Sequence, residues 1–338
     1  MRIARAQNDD GTVAPSAVNY LGEIPSTYLY LNQHARRHPL ALYNVSLHQL
    51  ADHFNQLLTQ YFKTYNLIDE KGDAPSEGEH YAHLLDAQKG LIHSLREHVD
   101  DCYLILASLA DPGGVPLKAA KRRFTEHWLE AVGFPTLDSF SQSIVEYRHE
   151  YLSPLVNGLK HKQCRLRGLF FHKRMDVRLG YYLEEPDADG VPGPSLGVHK
   201  DGNSAFSFAR DILFNLYYVY YISEMLVEAV KGALHQYHSF SLEFRKAESE
   251  NERWLDLLRQ ASRIRPSVFP DEVEKPFPYF TFTEGEGGRA EMVLMYPVTM
   301  IPLSFPPGMR ISGTFIGDGV TKTFKVPYLI RSKYGGVR

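Results

Sequence analysis

The chain has 338 residues, 43% of them hydrophobic and 23% charged, which is ordinary globular usage and excludes a wholly disordered chain or a fibre. That length suits one large or two ordinary domains with a real core. The net charge of −3 argues neither for nor against nucleic acid, so an electrostatic case must rest on local clusters. The two cysteines, Cys102 and Cys164, lie too far apart for a zinc motif or a disulfide framework, and a reducing compartment is the simplest expectation. MRIARAQNDDGTVAP has no apolar run after its arginines, so no secretory signal is expected. The most apolar stretch, Ile212 to Ile222, is too short to span a bilayer. Cytoplasmic location and no membrane association follow as expectations.

The N-terminal segment offers two short strands, STYLYLN from Ser26 and LALYNV from Leu40. Ser46 then caps a helix whose apolar face is Leu47, Leu50, Phe54, Leu57, Leu58 and Tyr61, ending near Phe62. Residues 69–79 (DEKGDAPSEGE) read as an acidic loop. A long helix follows, with Tyr81, Leu84, Leu85, Leu91, Leu95, Val99, Cys102 and Leu106 on one face, until Asp111-Pro112-Gly113-Gly114 stops it. KAAKRRFTEHWLEAV is a shorter helix ended by Gly133, and Thr136 opens another that Pro154 is expected to kink.

The periodicity then changes. CRLRGLFF and VRLGYYL read as strands joined by KRMD, a hairpin near 164–183. After a Gly/Pro loop, Ser204 is placed to cap the longest helix, whose stripe runs from Phe208 to Val230 with further rings at Phe214, Tyr217, Tyr218, Tyr220 and Tyr221. A helix apolar nearly all round belongs in a core or at a subunit interface. A charged helix around Trp254 leads into a proline-rich connection. PYFTFT with AEMVLMY, and RISGTFI with VTKTFKV, form two closing hairpins, the second turning at Asp318-Gly319.

The expected fold class is α+β: a predominantly helical bundle with an inserted β-hairpin, followed by a small antiparallel β-rich C-terminal section. Its sections are an N-terminal segment at 1–45, the helical domain at 46–240, the charged helix and connection at 241–278, and the β-rich section at 279–338.

The sharpest local signal is charge. Lys160, Lys162, Arg165, Arg167, Lys173, Arg174 and Arg178 stand against Asp176 alone, net +6 in a chain of net −3, with His161 and His172 among them and Phe170, Phe171, Tyr181 and Tyr182 beside them. Cations interleaved with rings suit a surface that follows phosphates and stacks bases. The bland alternative is a solvated outer face over an aromatic inner one.

VNGLKH, with Asn157, Lys160 and His161 ahead of the basic hairpin and a further long helix, resembles uncharacterised bacterial HEPN-like helical proteins. Many HEPN members are RNases of toxin or antiviral defence systems, with an R-x4-6-H motif at a shared dimer site. The resemblance implies Arg122 with His127, or Arg167 with His172, as a catalytic pair at that spacing; Arg165 to His172 has the longer one. Gly168 after Arg167 departs from the family's polar residue there. The implied function is nucleic-acid association, with RNA or DNA as partner and a metal-independent endoribonuclease as one form of it. The alternative is a non-enzymatic interaction or assembly subunit, a homodimer or a partner of another protein.

GPSLG centres Ser195 in a G-x-S-x-G pattern, but a proline-rich loop precedes it and VHKDG follows, which favours an ordinary turn over a nucleophile elbow. The His34/His38, His80/His83, Glu77/His80 and Glu146/His149 spacings invite a metal reading, yet no further carboxylate pair supports it. No metal and no cofactor is expected.

Overall fold

The structure, a computed structural model, describes residues 13–71, 79–112, 124–161, 163–173, 176–199, 205–245, 251–269, 272, 275–284, 290–298, 310–317 and 320–329. Short helices α1 (Ala17–Tyr20) and α2 (Leu31–His34) precede the long pair α3 (Pro39–Lys71) and α4 (Glu79–Ala107). Next come α5 (Thr125–Ala131), α6 (Leu137–Ser143), a π-helix (Glu146–Leu152) and α7 (Ser153–Lys160). Strands β1 (Arg165–Lys173), β2 (Asp176–Pro186), β3 (Pro192–Pro194) and β4 (Phe206–Ser207) form one antiparallel sheet. It leads into α8 (Phe208–His238) and α9 (Glu252–Ala261), and the chain closes with the hairpins β5–β6 (Phe277–Glu284, Ala290–Val298) and β7–β8 (Arg310–Gly317, Val320–Leu329). The class is α+β and mostly helical.

Both strands expected before residue 46 are helical or turned. Leu40 to Val45 belong to α3, because Pro39 suits the first helical position and the His38 ring accepts the Leu40 N–H at 3.3 Å. Ser46 is therefore inside the helix, where its hydroxyl meets His98 at 2.9 Å. Nor does α3 end near Phe62, since the buried side of the helix continues through Thr64 to Ile68. STYLYLN forms a 3-10 turn and α2, with the Tyr30 N–H donating to the Ser108 carbonyl and His34 reaching the Ala110 carbonyl.

The expected kink at Pro154 is a π-helix instead. Pro154 has no N–H to offer the turn before it, and the Ser153 N–H donates to the Arg148 carbonyl, five residues back. This widened turn directs Tyr147 and Tyr151 toward α8 and Arg148 toward α4 and α5.

Helix α8 is the centre of the fold. It is buried without interruption from Phe208 to Ser223. Phe214, Tyr217, Tyr218 and Tyr221 are covered within one chain, where Tyr147 stacks on Tyr218 at 4.2 Å and Tyr296 of β6 packs against Phe214 and Tyr217. A second copy is not needed to shield them. The N-cap is Ser207, and the buried Glu272 carboxylate accepts the Ser207 N–H there, a favourable charge at a helix N-terminus. Ser204 lies outside the described residues.

One apolar core runs from Val13 to Leu294 and crosses the boundaries at 45, 240 and 278. Helix α9 packs on α3, where Arg253 pairs with Asp52 and the Asn55 amide donates to the Arg253 carbonyl.

Candidate nucleic-acid interface

The β1–β2 hairpin forms where the sequence alternates, and alternation decides which residues go inward. Leu166, Val177, Leu179, Tyr181 and Leu183 are buried on the helical core. Two tyrosines fasten this inner face. The Tyr81 hydroxyl on α4 lies 2.6 Å from the Leu169 carbonyl and 2.8 Å from that of Gly180, and accepts the Gly180 N–H at 3.2 Å. Its ring sits where a Cβ on Gly168 would come within 2.2 Å of it, so glycine is required at that close approach.

The second fastener, Tyr181, donates to Asp211 on α8 at 2.9 Å. Asp211 also accepts from Tyr151 at 2.5 Å, Gln88 at 2.8 Å and Asn215 at 3.2 Å. Burial pushes the Asp211 carboxyl up to about 6, a rise that these donors and the nearby Arg210 charge limit. A buried acid with this many donors orients β2, the π-helix, α4 and α8 against one another.

The outer face carries the cations. Arg165 pairs in register with Glu184, and Arg167 with Tyr182. Glu184 has only 6% of its side chain exposed and accepts the Arg165 Nε at 2.6 Å and the Arg167 Nε at 2.7 Å. The two arginine side chains remain 58% and 44% exposed. Because each guanidinium is held through Nε, its two Nη groups stay available to an anion. Lys160 and His161 are exposed at the end of α7, just before β1.

Not every predicted cation belongs to this surface. Arg178 is 8% exposed, and its Nη1 donates to the Val268 carbonyl at 3.0 Å, because residues 264–269 fold over that part of the sheet. It is a buried anchor, which corrects its assignment as a nucleic-acid contact. Lys173 lies on β1 opposite Asp176 in the register. Lys162 and Arg174 lie outside the described residues.

The two Arg–His pairs part company in the same way. His172 and Arg167 share strand β1, five residues and about 16 Å apart along it, instead of the helical turn that the motif calls for. Arg122 lies outside the described residues. His127 is exposed on α5 with its ring edge-on to Phe124 at 5.7 Å. Its neighbour Glu126 is engaged by Arg148 at 2.5 Å, while Arg148 also donates to the Tyr103 hydroxyl at 2.9 Å. Burial pushes the Glu126 carboxyl up, but the Arg148 bond and charge, with Ser141 and Tyr103, outweigh it and hold the group below its ordinary value. Neither Arg148 nor the Asp211 cluster is announced by any local motif.

Ser195 occupies a turn, with the Val198 and His199 N–H groups bonded to its carbonyl, and its hydroxyl donates to Glu185 at 2.6 Å. The His199 ring accepts the Leu183 N–H at 2.9 Å. Both groups bond to β2. His34 bonds the Ala110 carbonyl and His38 caps α3, while His83, Glu146 and His149 are exposed; Glu77 and the His80 side chain lie outside the described residues. Among the described residues no group of three or more potential ligands could hold a metal ion, and no helix is long and apolar enough to cross a membrane. In comparisons with family models, curated proteins and solved structures the chain has no match.

Proposed function

We propose that the chain is a nucleic-acid-associated protein that grips phosphates on the outer face of the β1–β2 hairpin. The observation that carries this reading is the buried Glu184 carboxylate holding Arg165 and Arg167 side by side through Nε. A carboxylate in that position orients both guanidiniums before any ligand arrives, which lowers the ordering cost of binding. It also directs their remaining donors outward, where the planar fork suits phosphate oxygens. Lys160 and His161, exposed at the end of α7, add cationic side chains a few residues before β1.

The RNase form of the proposal rests on the HEPN-like resemblance and on His127, an exposed imidazole able to act as general acid and base in phosphodiester cleavage. Fluorescence anisotropy with a labelled 20-nucleotide RNA, over a salt series, tests the binding claim. Arg165→Gln with Arg167→Gln should weaken binding about tenfold and flatten the salt dependence by about 1.4, because each phosphate neutralised on a single strand contributes roughly 0.7 to the slope. Unchanged affinity in this variant overturns the assignment of the site. RNA cleavage that disappears in His127→Ala supports the RNase form, and intact RNA with the wild type removes it.

A further inference from the structure

The outer face of the β1–β2 hairpin has definite limits. Arg165, Arg167 and Leu169 of β1 share it with Glu184, Tyr182 and Gly180, their partners in the register. Beyond Arg167 this face turns apolar. Leu169 packs against Ala205 and Phe269, and the Phe269 ring occupies the place where a Cβ on Gly180 would stand. Among the described residues the face has no exposed ring either: Tyr182 is buried, edge-on to His199, and Phe170 has the parity of the opposite face, where it lies near Tyr81. A strand held along its length needs cations that follow successive phosphates and rings on which its bases stack. Here two guanidiniums converge on the two oxygens of one carboxylate, a single point of charge with apolar packing beside it.

Tyr182 adds a hydroxyl to that point. Burial and the Glu184 charge push the hydroxyl up against the pull of Arg167 and Arg165, so it stays protonated and able to donate. We propose that Arg165, Arg167 and Tyr182 receive the terminal phosphate of a nucleic-acid strand, a phosphomonoester at its 5′ or 3′ end. This rests on the reading of the chain as a nucleic-acid binder and names the group that the hairpin holds. A phosphomonoester carries a charge of about −1.5 to −2 near pH 7 and three strong acceptor oxygens. A phosphate within the strand is a diester with a single charge and fewer free oxygens. Two arginine forks and a hydroxyl gathered around one carboxylate supply more donors than a diester can engage, and they match the end group.

The test uses the full chain and a 20-nucleotide RNA labelled at one end, with the other end either a hydroxyl or a phosphate, prepared in both polarities, and a phosphoserine peptide as a separate probe. The expected result is that one phosphorylated end binds about tenfold more tightly than its hydroxyl counterpart. Arg165→Gln with Arg167→Gln should abolish that preference. Tyr182→Phe, which leaves no charge unpaired, should reduce it about threefold. If the double glutamine variant proves unfolded by circular dichroism, Arg165→Lys with Arg167→Lys keeps both charges beside Glu184 but removes the forks, and it should lose the preference as well. Equal affinity for phosphate and hydroxyl ends, with both weakened in the arginine variants, overturns the end-group proposal and leaves the hairpin as a backbone contact. A preference that survives in the folded arginine variants places the end group elsewhere and overturns it too, and an unchanged preference in Tyr182→Phe removes the third donor. Binding of the phosphoserine peptide as tight as that of phosphorylated RNA overturns nucleic acid as the source of the phosphate. No binding of any RNA by the wild type at low salt removes both this proposal and the reading on which it rests.

Discussion

Tyr181 of β2 and Asp211 of α8 meet through a 2.9 Å hydrogen bond, and that contact sets the basic hairpin at a fixed angle to the central helix. The outer face of β2 can offer Glu184 to two arginines because its inner face is held this firmly. Truncating Asp211 to Ala strands the Tyr151, Tyr181 and Gln88 donors in the core and should lower stability by about 3 kcal/mol. Urea unfolding followed by circular dichroism measures that loss.

The pH dependence of stability contains two opposed contributions. Asp211 titrates near 6 when folded, above its unfolded value of 3.8, so its contribution is full below pH 3.8 and is lost as pH rises through 6. His98, buried and pushed down to about 4 by desolvation, contributes fully above its unfolded 6.5 and loses this as pH falls through 4. Each amounts to about 3 kcal/mol at the pKa differences involved, and between pH 4 and 6 they largely cancel. Asp211→Asn removes one side of the balance, so its stability relative to wild type should improve steadily from pH 4 to pH 6. Denaturation curves at four pH values check the slope, and a constant difference would show that Asp211 does not titrate there.

Gly168 and Tyr81 form the other fastening. Gly168→Ala places a methyl group against the Tyr81 ring and should cost about 1–3 kcal/mol. Tyr81→Phe keeps the ring, loses the hydroxyl's bonds to β1 and β2 and should cost about 1 kcal/mol. Thermal midpoints rank the two.

Arg178 and the pair Arg165 and Arg167 separate packing from binding. Replacing Arg178 with Met removes the bond to the Val268 carbonyl and should lower stability by about 1–2 kcal/mol, with nucleic-acid affinity unchanged when measured well below the melting temperature. Arg165→Gln with Arg167→Gln should lower affinity about tenfold, and because it also leaves the buried Glu184 carboxylate without its cations, binding is compared well below the melting temperature of the variant.

Arg148 is the anchor of a second polar cluster. Arg148→Met should cost about 2 kcal/mol and return the Glu126 carboxyl toward or above its ordinary value, since burial is then opposed only by Ser141 and Tyr103. An NMR titration of the Glu126 side chain reads the change directly.

The helices and hairpins were legible because their periods are local. The buried side of α3 and α4 recurs every three or four residues, and the two C-terminal strand pairs flank Gly-rich turns, while β1 and β2 were marked by their alternation on either side of KRMD. Leu40 to Tyr43 misled because Leu-Ala-Leu-Tyr suits either strand or helix, and the decision came from Pro39 and the His38 ring. The cation-rich hairpin was also legible, but its division into exposed Arg165 and Arg167 and buried Arg178 was not. All three have the parity of one sheet face, and what separates them is coverage by residues 264–269, about 90 positions away in the case of Val268. The Asp211 cluster joins residues 88, 151, 181, 211 and 215 from four elements, and no window of sequence contains it.

The start of the described chain is tied to its middle. The Val13 carbonyl accepts from the Tyr220 hydroxyl, and the Ala17 N–H donates to the Ser223 hydroxyl at 2.8 Å, across 206 residues. On a ribosome adding roughly 5–20 residues per second, α1 emerges about 10–40 s before its partners on α8. Throughout that interval the side of α1 that faces α8 has no cover, and this part of the core cannot close until translation has passed Ser223. Synonymous codons that slow elongation between α4 and α8 would lengthen the exposure without altering a single contact in the finished molecule.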